Sequence, residues 1–140
     1  MAETLYDTDI LLWSEQQAEF LRRRATNSLD WNNLAEEIGD VGRSQLHAVE
    51  SQLVQAMRHL LRAEAWPLSR DAPSWRAEAQ LHRDAARRRF APSMRQRIDI
   101  ASLYADAVRA LPEKLDGLDP LPVPAACPVT LDEMLSEGDA

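Results

Sequence analysis

The chain has 140 residues, enough for one domain with a real core and no dependence on a disulfide or a metal. Hydrophobic residues make up 45% and charged residues 28%, a globular mixture, and a single cysteine, Cys127, excludes an intrachain disulfide framework. The formal net charge of −7 is uneven: residues 1–66 carry −5, residues 67–97 carry +5 and residues 98–140 carry −7. The arginine run of this block, at 83–89, has no interleaved Phe, Trp or Tyr, which argues against nucleic acid and for contact with acidic neighbours in the same fold. No apolar stretch reaches bilayer length and the N-terminus lacks a basic-then-apolar leader, so the expectation is a cytoplasmic protein with no membrane association.

Ala, Leu and Arg dominate and glycine is scarce, which favours helix. A first helix is expected from Thr8 or Asp9, either of which can cap free N–H groups, with Ile10, Trp13, Gln17, Phe20 and Leu21 at helical spacing. Arg22, Arg23 and Arg24 then fall in its last turn, where cations suit the helix C-terminus. Asn27 and Ser28 read as a turn.

Asp30 to Trp66 reads at helical period throughout and holds no proline. As one helix it runs about 50 Å at 1.5 Å per residue. Trp31, Leu34, Ile38, Leu46, Val49, Leu53, Ala56, Met57 and Leu60 share one arc, the expected buried face. Gly39 and Gly42 predict a bend, or a close approach by another helix, within a continuous helix. Trp66-Pro67 ends it.

Ser74 is expected to cap a third helix to about Phe90, burying Trp75, Ala79, Leu81 and Ala85 or Ala86. Ser93-Met94-Arg95-Gln96 has the form of a capping box and predicts the start of a fourth helix, whose apolar residues are Ile98, Ala101, Leu103, Tyr104, Ala107, Val108 and Leu111. Four prolines between 118 and 128 dictate an extended strap, and Thr130-Leu131-Asp132-Glu133 opens a short fifth helix. The expected fold is all-α: a four-helix-bundle-like single domain over 1–140 with one long central helix (about 30–66), a Pro-rich strap and a short C-terminal helix. Its core spans about 6–112, with the strap and short helix over 113–136 and frayed termini.

With the helices placed, several strings occur in a familiar order. They are Tyr6 with Asp9 and Trp13; Asn33-Leu34-Ala35-Glu36-Glu37-Ile38; Gly42-Arg43 followed by Glu50; His59-Leu60-Leu61; Ser74-Trp75-Arg76; and Cys127-Pro128 before Thr130-Leu131. Together they resemble the uncharacterised bacterial family catalogued as domain of unknown function 29, from about Tyr6 to Leu135. The resemblance implies an all-helical bacterial protein and supplies neither an activity nor catalytic residues.

Glu50 is the pointed feature. Its helical neighbours Leu46, Leu53 and Val54 are apolar, and a carboxylate buried among them needs a partner or a proton. Trp75 and Arg76 at the start of the third helix are the natural candidates, giving either an ion pair that fixes helix register or a functional carboxylate. His59 flanks the arc and is read as a packed ring with one bonded nitrogen, or as a general base. His47 with Glu50 (i,i+3) and Glu78 with His82 (i,i+4) could meet on helix faces, but the Glu-x-x-His order of helical di-iron proteins is absent, and no metal is expected. Glu36, Glu37 and Asp40 form an acidic cluster, read as a solvated face answered by the arginines at 83–89, or as a cation site or a docking surface for a basic partner. The four tryptophans are read as core or core-rim residues.

No phosphate-binding glycine loop, Ser-His-Asp order or CxxC pair is present, so no cofactor is expected. The favoured expectation is a non-enzymatic adaptor or regulatory module that binds a protein partner or itself, through a long helix longer than its four-helix core. The alternative is a small enzyme or ligand-binding protein with a polar pocket of Glu37, Glu50, His59, Trp75 and Arg76. Nucleic-acid binding through Arg83, Arg87, Arg88 and Arg89 is the third reading.

Overall fold

Two cap signals start the chain's first two helices. In the computed structural model, which describes residues 3–136, Thr4 and Asp7 form a capping box that opens α1 (Leu5–Thr8), a turn the periodicity does not reveal. Asp9 then caps α2 (Ile10–Arg22), its carboxylate accepting from Leu12 N at 3.0 Å. The end of α2 is a Schellman turn: Ala25 N donates to Phe20 O at 2.9 Å and Arg24 N to Leu21 O at 3.1 Å. Arg24 takes the left-handed position, with φ of 55°.

A 3₁₀ turn (Thr26–Ser28) leads into α3 (Trp31–Ala65), 35 residues without a break. The chain divides into two compact units, Met1–Ser44 and Gln45–Ala140, and α3 supplies residues to each. Within the N-terminal unit, Asp30 is the polar centre. Its carboxylate accepts from Trp13 Nε1 at 3.1 Å and Asn33 Nδ2 at 2.8 Å, and its own N–H donates to Gln17 Oε1 at 2.8 Å. These bonds hold Asp30 below the usual carboxylate range, the Asn33 amide contributing most. The buried Trp13 packs edge-on against Tyr6, with ring centroids 4.8 Å apart.

In the C-terminal unit, Val49, Leu53, Ala56, Met57 and Leu61 of α3 form the buried stripe. Against it lie Ala86 of α4 (Ala72–Arg89) and Leu103, Tyr104 and Ala107 of α5 (Ile100–Arg109). Met134 and Leu135 of α6 (Leu131–Leu135) join the same core. A second cluster gathers Ala63, Ala65, Trp66, Ala72 and Trp75. The strap is pinned to the end of α3, with Leu121 N donating to Ala65 O at 2.9 Å and Trp66 Nε1 to Leu118 O at 3.0 Å. It reverses at Asp116 and Gly117, both at positive φ, between the bridged Leu115 and Leu118. Thr130 and Glu133 form the expected capping box of α6.

The structure corrects several expectations. α4 begins at Ala72, not Ser74, because Pro73 fits the first helical turn, where its missing N–H has no intrahelical bond to make. Ser93 caps nothing: residues 92–94 form a 3₁₀ turn that buries Met94, and α5 starts only after Ile98 is buried. Asp99 is the cap, accepting from Ser102 N at 3.3 Å. Leu81 is 66% exposed, and of the predicted arc on α3, Trp31 and Ile38 are 62% and 68% exposed. Trp31 is therefore neither core nor core rim.

The glycines are not points of close approach. A Cβ at Gly42 would meet no heavy atom within 4 Å, and the nearest atoms to one at Gly39 belong to the flexible Arg43 guanidinium, at 3.2 Å. Glycine at 42 thus leaves backbone entropy unrecovered in an exposed helix interior. Gly42→Ala is expected to raise stability by about 0.5–1 kcal/mol in urea unfolding; a loss of stability would show that Gly42 has a constraint the surrounding space does not reveal.

Candidate functional site

The residues expected to form one polar pocket have separate surroundings. In the N-terminal unit, Glu37 accepts a hydrogen bond from the Tyr6 hydroxyl, whose pKa is pushed up to about 12, chiefly by that bond. The acidic cluster is answered locally, since Arg43 pairs with Asp40 and with Glu36. Of the arginines at 83–89, Arg83 and Arg87 find partners within the C-terminal unit. Arg83 Nε donates to Met134 O at 3.0 Å and its Nη2 to Glu133 O at 3.0 Å, which caps the C-terminal end of α6 with a cation. Arg87 pairs with Asp84 at 2.8 Å, and Arg95 pairs with Asp132.

In the C-terminal unit, Glu50 is half-buried and forms no ion pair and no side-chain hydrogen bond among the described residues. It does not meet Arg76, which is exposed, or Trp75, which is buried beside Trp66. The 3.6-residue period places Glu50 beside apolar neighbours but does not set how α4 is rotated against α3. His47 is exposed. Among the described residues no three His, Cys, Asp or Glu side chains are arranged to hold a metal ion.

What α3 and α4 do bring together is a histidine pair. The rings of His59 and His82 stack with centroids 5.4 Å apart and planes 7° from parallel. His82 Nδ1 lies 2.6 Å from Gln52 Oε1, so that nitrogen is the donor. His59 Nε2 lies 3.3 Å from Glu78 Oε2, while its Nδ1 is buried without a partner. Glu78 therefore meets His59 across the helices, not His82 on its own helix. Gln52 escaped the sequence reading because a glutamine on a mixed face carries no signal of a partner in another helix.

The second feature of this unit is an apolar cavity of about 260 Å³ whose lining includes Met57, Leu60, Tyr104 and Met134, with Glu64 and Arg76 also on its wall. Of the residues predicted for a pocket, Arg76 alone lines this one. The Tyr104 hydroxyl donates to Pro124 O at 2.6 Å, which ties α5 to the strap beside the cavity.

Comparison with known proteins adds the lineage. The family described as domain of unknown function DUF29 matches residues 5–138. The chain belongs to the DUF29 family. A solved alpha-helical protein of unknown function from Rhodospirillum rubrum matches with a TM-score of 0.70 at 28% identity, over 97% of this chain and 92% of that one. No curated protein matches. Family and structure together establish an all-α DUF29 protein with a long central helix. Among the described residues, no helix of this DUF29 chain is long and apolar enough to cross a membrane.

The surroundings of His59 give the DUF29 chain an acid response. Burial lowers the pKa of His59 below its ordinary value; Glu78 opposes this, and His82, Arg62 and Arg58 reinforce it. Protonating Nδ1 would also bury an N–H with no acceptor. The unfolded chain therefore binds this proton more readily than the folded one, so stability is full above the unfolded value of about 6.5 and falls as pH drops through it toward the folded value. In His59→Phe, the melting temperature is expected to lose that part of its dependence below about pH 6.5; an unchanged slope would place the response elsewhere.

Proposed function

We propose that this DUF29 protein is a non-enzymatic protein-binding module, an adaptor or regulatory component, that docks a basic amphipathic helix of a partner on its N-terminal helical pair. One observation carries the reading. Of the eleven large hydrophobic residues that are exposed among the described residues, seven lie between Ile10 and Val41. Exposed apolar side chains are ordinary when scattered, but concentration in one segment marks an interaction surface.

Their spacing indicates a helical ligand. Trp31, Leu34, Ile38 and Val41 recur at steps of three, four and three along α3, and Leu11, Ala18 and Leu21 share one face of α2 with the polar Ser14. The α3 run is a heptad stripe of the kind that receives a further helix. Six of these residues, from Ser14 to Val41, line a shallow apolar hollow of about 200 Å³. Residues 1–44 carry nine acidic and four basic side chains, so a basic partner is electrostatically favoured over a second acidic copy.

The polar groups of the C-terminal unit support a non-catalytic reading. His59 and His82 bond to Glu78 and Gln52, and Cys127 Sγ donates to Val129 O at 3.2 Å, so neither histidine is paired with a nucleophile.

A photo-crosslinking amino acid at Ile38, used in the full chain inside its native cells, tests the reading. The expected adduct joins Ile38 to a basic helical segment of one partner and disappears with Val41→Asp, an exposed position where the change leaves the fold intact. An adduct between two copies of this chain would replace the partner by self-association. Absence of an adduct from a correctly folded protein would overturn the reading.

A further inference from the structure

We infer that the cavity between α3, α4, α5 and the segment at 128–134 is a binding site for a small zwitterion with an apolar body, the chemical class of the apolar amino acids. Its size is the first argument. At about 260 Å³ it lies just below the range of about 300–1,000 Å³ usual for small-molecule sites, which fits an amino acid and excludes a nucleotide. Its walls are the second. Met57, Leu60, Leu61, Tyr104, Val129 and Met134 line it, so a ligand's body is received by apolar surface. Tyr104 contributes its ring, since its hydroxyl is engaged with Pro124 O.

The third argument is the charge at the mouth. The lining contains one carboxylate, Glu64, and one guanidinium, Arg76, both exposed. Among the described residues neither takes part in an ion pair, with the other or with a third residue. Two opposite charges on one small apolar cavity, held apart, match a ligand that carries both charges at one end. Arg76 receives the carboxylate, for which its planar fork is suited, and Glu64 receives the ammonium. No covalent change is involved. The site is separate from the apolar stripes of residues 11–41 and does not depend on their role.

The test is isothermal titration calorimetry on the full chain with L-leucine, L-methionine and L-phenylalanine. It is paired with 4-methylpentanoate, which lacks the amine of leucine, and 3-methylbutylamine, which lacks the carboxylate. At least one amino acid is expected to bind saturably, and its analogue lacking either charge about tenfold or more weakly, the scale of one lost charged hydrogen bond. Arg76→Ala is expected to weaken the amino acid by a similar factor. Glu64→Gln is expected to weaken the amino acid but not 4-methylpentanoate. Both positions are exposed, and far-UV circular dichroism with an unchanged melting temperature confirms that each variant is folded. The inference is overturned if no amino acid binds, if 4-methylpentanoate binds as tightly as leucine, or if folded Arg76→Ala and Glu64→Gln bind like the parent.

Discussion

Burial of one stripe of α3 is the interaction on which the C-terminal unit depends. Val49 and Leu53 are fully buried and are its largest such side chains. Each buried residue of that size contributes about 1.5–3 kcal/mol. α5 and α6 reach the same core through Leu103, Tyr104, Met134 and Leu135. The strap has few N–H groups to offer, because four of its residues are proline. It is therefore held by isolated bonds to the end of α3 and to Tyr104 rather than by a ladder. Arg83 completes the unit by capping α6 from α4, so part of the basic block acts as internal structure.

One helix thus serves two purposes along its length. From Val49 onward its apolar face is sealed. From Trp31 to Val41 the same kind of residues recur at helical spacing, yet Trp31, Ile38 and Val41 remain exposed. This segment is fixed at its start by polar chemistry, through the Asp30 carboxylate and the Trp13, Asn33 and Gln17 groups around it. The two readings of function follow this division. An uncovered apolar stripe suits a partner helix, whereas an apolar cavity with two unpaired opposite charges suits a small molecule.

The legible features were those decided locally. Asp9 at the start of α2 and the Thr130–Glu133 box of α6 are cap chemistry that three or four residues determine, and the apolar period of α3 gave its continuity. Ser93 shows the limit: its local pattern was right for a cap, but burial of Met94 and Ile98 claimed the segment, and the helix waited for Asp99. Trp31 and Ile38 show another, because periodicity defines an apolar side without saying whether anything covers it. The separation of Glu50 from Arg76 and the meeting of His59 with His82 both depend on the rotation of α4 against α3. No spacing within either helix encodes that rotation.

Native-state hydrogen exchange resolved along α3 tests the division most directly. Amides from Val49 to Leu61 are expected to exchange only through global unfolding, and those from Leu34 to Gly42 through lower-energy local opening. Uniform protection from Leu34 to Leu61 would contradict the account, since the exposed stripe would then be as firmly held as the buried one.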